Sequence, residues 1–293
     1  MISILEALAW GEQALKKTAH EKVSGGHHAK MDAQALLCAC LKHPTSYLFS
    51  HGNDLVNAED FVRYERWIER RGRHEPVAYL LGSRPFLGRT FFVNPDVLIP
   101  RPETELLAQL AIDHAKPHSI LMDIGTGSGA IAVSVAAETG IPTLATDCSA
   151  PALAVAKENV ERHQLKHLIT CVVGDLLDPL LSRLPEKRHH LLITANLPYL
   201  PFQRRQEMDP DVYHYEPELA LFAGIDGLEL YDQLLRDLSR HRERLPDVVE
   251  LLIEIDPSQS RAIERLIHDY FPGSPFEIFK DYSGQERIVI TTI

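Results

Sequence analysis

The stretch Ser119-Ile-Leu-Met-Asp-Ile-Gly-Thr-Gly-Ser-Gly-Ala130 decides the fold class. Ile120 to Ile124 is a short apolar run broken only by Asp123, which reads as a buried strand. Gly125, Gly127 and Gly129 then alternate with Thr126 and Ser128, and Ala130 to Glu138 reads as a helix. Strand, glycine turn and helix together open a βαβ unit. Glycine takes positive φ and lets the backbone approach a ligand closely. A helix start adds N–H groups that no helical carbonyl uses.

The pattern repeats towards the C-terminus. Strands are expected over Thr143 to Asp147, Leu168 to Val173, Leu191 to Ala195, Val248 to Ile255, Phe276 to Phe279 and Arg287 to Ile293. Helices are expected over Ala150 to His163, Asp226 to Arg242 and Ser258 to Tyr270. Such alternation predicts an α/β domain with a seven-stranded, mostly parallel sheet and helices on both faces. Towards the N-terminus a helix is expected near Pro102, with Glu103 and Glu105 suiting the positive end of its dipole. Gly88-Arg-Thr-Phe-Phe-Val93 reads as a strand after a glycine turn, and Asn94-Pro95 as a second turn, so 76–100 is expected to be a β-hairpin linker. Residues 1–75 read as a small helical bundle. Its segments begin at Ile4, Met31 and Phe61, punctuated by Gly25-Gly26 and His43-Pro44. The expected domains are therefore 1–75, 76–100 and 101–293.

At 293 residues, 45% hydrophobic and 24% charged, the chain has room for one large domain and a small one. The net charge of −11 is uneven. Residues 1–95 carry twelve Lys and Arg against ten Asp and Glu; the remainder carry eighteen against thirty-one. An acidic C-terminal part argues against a broad nucleic-acid-binding face. Cys38, Cys40, Cys148 and Cys171 have no zinc spacing, so no metal site is expected, and free thiols suit a reducing cytoplasm. The pair His27-His28 reads as a solvated loop, since no third ligand is indicated. The opening residues lack a basic region, and no run reaches the eighteen apolar residues of a membrane span.

Three aspartates stand at successive strand ends. Asp123 precedes the glycine turn, Asp147 ends the next strand, and Gly174-Asp175-Leu176 follows the third. An aspartate at one strand end is as readily a turn or helix cap. Three together, where ligands of such sheets bind, point to a nucleoside-bearing ligand. Asp147 is placed to accept ribose hydroxyls and Asp175 an adenine amino group. The Gly-x-Gly-x-Gly spacing differs from the Gly-x-Gly-x-x-Gly of dinucleotide folds. Asp123 would repel a pyrophosphate and suits a cationic ligand such as S-adenosyl-L-methionine.

Asn196-Leu-Pro-Tyr199 after the fourth strand fixes the reaction type. The Asn196 side-chain oxygen and the Leu197 main-chain carbonyl are two acceptors that can hold one –NH2 group. Pro198 stiffens the turn and Tyr199 offers an aromatic face to a planar group. Departure of a positive sulfur drives methyl transfer, so orientation is the main contribution required. The chemistry expected is methylation of a planar amide or amine nitrogen.

With these residues in place the sequence resembles the peptide-chain release factor glutamine methyltransferases, the HemK/PrmC family. The resemblance runs through Phe86–Val93, Val97-Leu-Ile-Pro-Arg-Pro-Glu-Thr-Glu105, the glycine turn, Tyr215-Glu-Pro-Glu-Leu-Ala-Leu221, Ile253-Glu-Ile-Asp256 and Lys280-Asp-Tyr-Ser-Gly284. It implies a class I, Rossmann-like methyltransferase domain preceded by the bundle and hairpin. It implies that Gly125, Thr126, Gly127, Ser128 and Gly129 hold S-adenosyl-L-methionine, with Asp147 at its ribose and Asp175 and Leu176 at its adenine. Asn196 to Tyr199 would bind the glutamine of a Gly-Gly-Gln motif in a class I release factor, and residues 1–75 would help grip that protein. The chain departs from the family pattern at Leu197, where proline is usual, at Asp256, where glycine is usual, and at His190, where an acidic residue is common. Asn-Leu-Pro-Tyr is also the form of rRNA adenine dimethyltransferases, so adenine methylation of RNA is the alternative activity. A catalytically silent ribosome-associated protein is the alternative without activity.

Overall fold

The computed structural model describes residues 2–18, 25–183 and 190–293. The chain divides into two compact units. The first comprises Met1–Gly82 and Glu207–Tyr215, the second Ser83–Gln206 and Glu216–Ile293.

In the first unit α1 (Ile4–Thr18), α2 (Gly25–Leu41), α3 (Thr45–Ser50), α4 (Ala58–Gly72) and α5 (Val77–Leu81) form the expected helical bundle. A minimal antiparallel pair, β1 (Ile2–Ser3) and β2 (Leu55–Val56), ties its start to the α3–α4 connection. Ile4, Leu8 and Leu15 of α1 face Leu36 and Leu37 of α2 and Tyr64 and Ile68 of α4 in one core. Gly11 is required where it stands: a Cβ there would lie 2.0 Å from the Tyr64 hydroxyl. Asn57 caps α4 by accepting from the Asp60 N–H at 2.8 Å. Gly25 and Gly26, expected between helices, are instead the first residues of α2. The second chain segment of this unit supplies α10 (Pro210–Tyr215), which the sequence did not announce. Its Asp211 pairs with Arg71 at 2.8 Å and His74 at 3.2 Å, and the Tyr215 hydroxyl donates to the Arg73 carbonyl at 2.8 Å.

The second unit opens with the expected hairpin, β3 (Ser83–Phe86) and β4 (Arg89–Phe92). Its two-residue turn, Leu87-Gly88, has positive φ at both positions, the twist that matches a hairpin's strands. Then come α6 (Thr104–His114), β5 (Ser119–Ile124), α7 (Ala130–Thr139), β6 (Thr143–Asp147), α8 (Ala150–Arg162), β7 (Ile169–Val173), α9 (Asp178–Leu181) and β8 (His190–Ala195). After α10 the unit resumes with α11 (Glu229–Arg240), β9 (Val248–Glu254), α12 (Ser260–Tyr270), β10 (Phe276–Lys280) and β11 (Glu286–Thr292). The seven strands form one sheet in the order β10-β11-β9-β8-β5-β6-β7, with β11 antiparallel to both neighbours. This is the α/β fold expected from the alternation. Side chains of the central strands alternate between two cores, as strand geometry requires. Leu191, Ile193 and Ala195 of β8 pack with Leu234 and Leu238 of α11 and Ile263 of α12, whereas Leu192 packs with Leu107 of α6 and Val133 of α7.

Three helices start later than the sequence suggested, among them α12, which begins at Ser260 after a 3-10 turn over Pro257–Gln259. Arg101 to Glu103 make a turn, with the Thr104 N–H on the Arg101 carbonyl, and α6 begins at Thr104 instead of near Pro102. Asp226 to Leu228 make another, because Gly227 sits at φ 79° and Asp226 accepts the Leu228 N–H, so α11 begins at Glu229. The chain passes from β7 back across β5 to β8, which makes the β5–β8 boundary the point where strand order reverses. Ligands of open α/β sheets bind at the carboxyl ends of strands there.

Candidate active site

A cavity of about 480 Å3 opens at that boundary, a size suited to a nucleoside-bearing ligand. Its floor is the glycine turn between β5 and α7. Gly125, Gly127 and Gly129 all have positive φ, at 67°, 53° and 80°, so non-glycine residues would be strained at each. A Cβ at Gly127 would meet nothing closer than 4.0 Å, which leaves its backbone open to a ligand. A Cβ at Gly129 would touch Ala156 of α8 at 3.4 Å, so this glycine serves helix packing. The turn's N–H groups are less free than a helix start suggests. Thr126 donates to the Thr146 carbonyl, Gly129 to the Thr126 carbonyl, and Gly127 to Asp147 Oδ2 at 2.9 Å.

The sequence-predicted residues separate into wall and support. Gly125, Thr126, Gly127, Ser128, Asp147, Asp175, Leu176, Asn196, Leu197 and Pro198 all line the cavity. Asp123, Gly129 and Tyr199 do not line it. Asp123 is fully buried under the turn, where it accepts from the hydroxyls of Thr126 at 2.6 Å and Thr194 at 2.8 Å. Burial pushes its carboxyl up to about 6 against those two bonds. Its position fits a pin for the turn and gives no direct face to a ligand. Asp147 Oδ1 accepts the Ser149 N–H at 2.8 Å, so each oxygen spends one lone pair on the protein and keeps one for the cavity. Burial raises this carboxyl above the usual range despite the two backbone donors.

Sequence reasoning missed much of the wall. Val97, Leu98, Pro100, Arg101 and Thr104 line it, as do Pro217, Leu219 and Ala220. Buried Glu216 joins these two stretches: it accepts the Ile99 N–H at 3.1 Å and pairs with Arg101 at 2.6 Å. Asn159, fully buried on α8, ties the hairpin to the turn through the Phe92 N–H and the carbonyls of Phe92 and Ser128.

Beneath Asn196 to Tyr199 lies a polar network. The Asn196 Nδ2 donates to Thr104 Oγ1 at 3.1 Å, which uses the amide's donor end on the protein. The Leu197 N–H, which a proline there would lack, donates to the Tyr231 hydroxyl at 3.3 Å. Tyr231 in turn donates to the Glu254 carbonyl. The Leu197 side chain is buried and fills the space over Gly125. Gln259 Nε2 donates to the Tyr199 carbonyl at 3.0 Å, and the Tyr199 hydroxyl reaches Glu254 Oε1 at 3.4 Å. Glu254 is 1% exposed, and burial pushes its carboxyl up to about 7, against the Thr104 hydroxyl and the Arg287 cation that favour its charged form. The signal that could have found it is the pair of acids, Glu250 and Glu254, in Val248-Val-Glu-Leu-Leu-Ile-Glu254, a strand whose other residues are apolar enough to be buried on both faces.

Comparison with known proteins gives a family context for this geometry. A family model of the PrmC N-terminal domain matches residues 6–82, and one of the methyltransferase small domain matches residues 102–214. The release factor glutamine methyltransferase of Bacillus subtilis (strain 168) is 32% identical, with 100% of this chain and 99% of the relative aligned. Its namesake from Bacillus anthracis is 31% identical over 99% of both chains. That from Staphylococcus aureus (strain NCTC 8325 / PS 47) is 34% identical over 82% of this chain and 84% of the relative. Among solved structures, the hMettl16 catalytic domain in complex with MAT2A 3'UTR hairpin 6 superposes with a TM-score of 0.54. That match covers 84% of this chain and 91% of the other at 18% identity, a likeness of fold alone.

Proposed function

The chain belongs to the release factor glutamine methyltransferases, an S-adenosyl-L-methionine-dependent family, and from this premise we propose the substrate and the role of each site residue. The substrate is the glutamine of the Gly-Gly-Gln motif in class I peptide-chain release factors, methylated on its side-chain amide nitrogen. The enzyme acts on these proteins in the cytoplasm; among the described residues no helix is long and apolar enough to cross a membrane.

S-adenosyl-L-methionine supplies an electrophilic methyl group on a positively charged sulfur. The residues present fit it. The open face of Gly127 admits close approach, the unspent lone pairs of Asp147 suit ribose hydroxyls, and Asp175 with Leu176 borders the space for adenine. Thr126 and Ser128 complete the wall, with Asp123 and Gly129 holding it from below.

The observation that carries the substrate reading is the Asn196–Thr104 hydrogen bond. An amide nitrogen is a poor nucleophile, because its lone pair is delocalised into the carbonyl. The site must hold the –NH2 with that lone pair towards the methyl group. Thr104 takes the donor end of the Asn196 side chain, which leaves Oδ1 as the acceptor presented to the cavity. Oδ1 and the Leu197 carbonyl then accept the two protons of the substrate –NH2, and Pro198 fixes their spacing. S-adenosyl-L-methionine held by the glycine turn and Asp147 would supply the methyl group to this nitrogen and keep the C–S electron pair on its sulfur, and the proton the nitrogen loses would pass to solvent. Tyr199 closes the turn with its hydroxyl on Glu254. A gel of the purified enzyme incubated with radiolabelled S-adenosyl-L-methionine, a release factor and total rRNA tests the reading. Label is expected in the protein band; label in RNA alone would replace it with adenine methylation, and no label with a silent binding protein.

A further inference from the structure

The pairing of β8 with β9 ends at Ala195 opposite Ile253. Past that rung the Tyr231 hydroxyl stands between the two chains. It accepts the Leu197 N–H at 3.3 Å and donates to the Glu254 carbonyl. The groups themselves fix these directions. An N–H only donates, a carbonyl only accepts, and the hydroxyl has one proton to give. Tyr231 comes from the first turn of α11 and is 1% exposed, with Leu197, Leu234 and Ile253 in the core that surrounds it. A phenylalanine would fill the same core without the cost of burying a hydroxyl. Gln259 holds the far end of the turn through the Tyr199 carbonyl at 3.0 Å, so what Tyr231 adds is the placement of its near end.

We infer that Tyr231 is a positioning residue for methyl transfer, whose hydroxyl acts as a spacer between Leu197 and Glu254 and sets where the Asn196–Pro198 turn presents its two acceptors. The inference rests on the reading of Asn196 and Leu197 given above. The Leu197 N–H lies in the peptide plane that also contains the Cα atoms of Asn196 and Leu197, so fixing it fixes the points from which both acceptors project. Joined directly, the N–H and the Glu254 carbonyl would stand about 2.9 Å apart; the hydroxyl oxygen between them holds them wider. Without that oxygen the turn has two courses, and both move the acceptors. Either the Leu197 N–H stays buried without an acceptor, which loosens the turn, or it closes on the Glu254 carbonyl and draws residue 197 towards β9 and away from the cavity. A misplacement of about 1 Å at a reacting group can cost about a hundredfold in rate. Residues 231 and 197 are therefore coupled. A proline at 197 has no N–H to present and a φ fixed by its own ring, so it has no need of the hydroxyl.

The test uses the full chain with Tyr231→Phe, Leu197→Pro, the Leu197→Pro/Tyr231→Phe double variant and Leu238→Ala. Leu238 is buried two turns further along α11, so its truncation weakens the packing of the same helix at a distance from Leu197. S-adenosyl-L-methionine affinity by calorimetry is expected to stay within about twofold in all four, which also shows that each is folded. With release factor as substrate, Tyr231→Phe should lower kcat by about tenfold or more with KM little changed, whereas Leu238→Ala should keep kcat within about twofold. The double variant should match Leu197→Pro alone within about threefold, because without the N–H the hydroxyl has nothing to hold at residue 197. The Leu197 amide gives a readout that needs no substrate. Asn196-Leu197 is the only Asn-Leu pair in the chain, so 13C-carbonyl asparagine combined with 15N-leucine gives that N–H a resonance of its own. Tyr231→Phe should move this resonance whichever course the turn takes, and Leu238→Ala should leave it in place. An unchanged kcat in Tyr231→Phe, an equal loss in Leu238→Ala, a double variant whose losses multiply, a parallel fall in cofactor affinity, or a Leu197 resonance indifferent to Tyr231→Phe would overturn the inference. Label in RNA and none in release factor would instead count against the substrate reading, and the same kinetics run on that RNA would still decide the part played by Tyr231.

Discussion

Leu197 stands where the family resemblance leads one to expect proline, and its surroundings accommodate a leucine there. The acceptor it contributes is a main-chain carbonyl, unchanged by the side chain. Its N–H, new relative to proline, is satisfied by Tyr231, and its side chain fills the space over Gly125. Leu197→Pro is therefore expected to change kcat by less than about tenfold, or about 1.4 kcal/mol in barrier, since it removes one buried hydrogen bond and adds rigidity. Asn196→Ala should lose about a hundredfold or more, as removal of a positioned polar group from an active site does. Steady-state kinetics of both variants at saturating cofactor checks the pair; a severe Leu197→Pro beside a mild Asn196→Ala would contradict the two-acceptor account. At the cofactor end, Asp147→Ala should weaken S-adenosyl-L-methionine binding by about 1.5–3 kcal/mol, the range for charged hydrogen bonds. Calorimetry giving an unchanged Kd would remove Asp147 from the site. Asp147 and Asn196 were legible because strand ends of this fold carry function. Thr104, Glu216, Tyr231 and Glu254 were not, because their roles depend on partners remote in sequence that only the folded chain brings near.

At the scale of elements, the sheet could be read in advance because buried strands and amphipathic helices alternate with periods that the order of residues alone reveals. Helix starts were harder. Pro102 and Asp226 look like helix openings, but each belongs to a turn that places something in the site: Arg101 beside Glu216, and Gly227 beneath Tyr199. Gly227 gives a sharp test. Gly227 and Gly140 both have positive φ, at 79° and 71°, so alanine at either pays a similar backbone strain of about 1–2 kcal/mol. A Cβ at Gly140 would meet nothing within 4 Å, whereas at Gly227 it would lie 2.0 Å from the Tyr199 carbonyl oxygen. Gly227→Ala should therefore destabilise well beyond Gly140→Ala in urea unfolding and should cut methyl transfer, while Gly140→Ala keeps its activity. Equal effects of the two would show that the turn under Tyr199 yields freely.

For the whole molecule, two features follow from the chain's path and from its buried acids. The substrate-gripping role expected of residues 1–75 invites a truncation experiment, but Glu207–Tyr215 folds with that unit through Asp211 and Tyr215. Cutting the N-terminal residues away would strand this segment, so surface substitutions within the bundle are the cleaner probe of substrate grip. The acids set a pH dependence. Asp123 is raised from 3.8 to about 6 and Glu254 from 4.5 to about 7, so between about pH 4 and 7 the folded chain keeps protons that the unfolded chain has released. The native state binds more protons there, so these two groups make stability fall as pH rises through that window and leave it level above. Asp123→Asn and Glu254→Gln should each flatten the decline relative to wild type when unfolding is followed by urea titration from pH 4 to 8. A variant that steepens it would reverse the sign argued for that group.

The central claim is that the cavity at the β5–β8 boundary presents acceptors to a glutamine amide of a release factor. Mass spectrometry of the peptide bearing Gly-Gly-Gln, taken from a purified release factor after incubation with the enzyme and S-adenosyl-L-methionine, tests it directly. The account predicts one added methyl group, localised by fragmentation to the glutamine side chain, absent with Asn196→Ala enzyme at matched times. An unmodified glutamine after exhaustive incubation with folded, cofactor-binding enzyme, or a methyl group fixed to another residue, would contradict it.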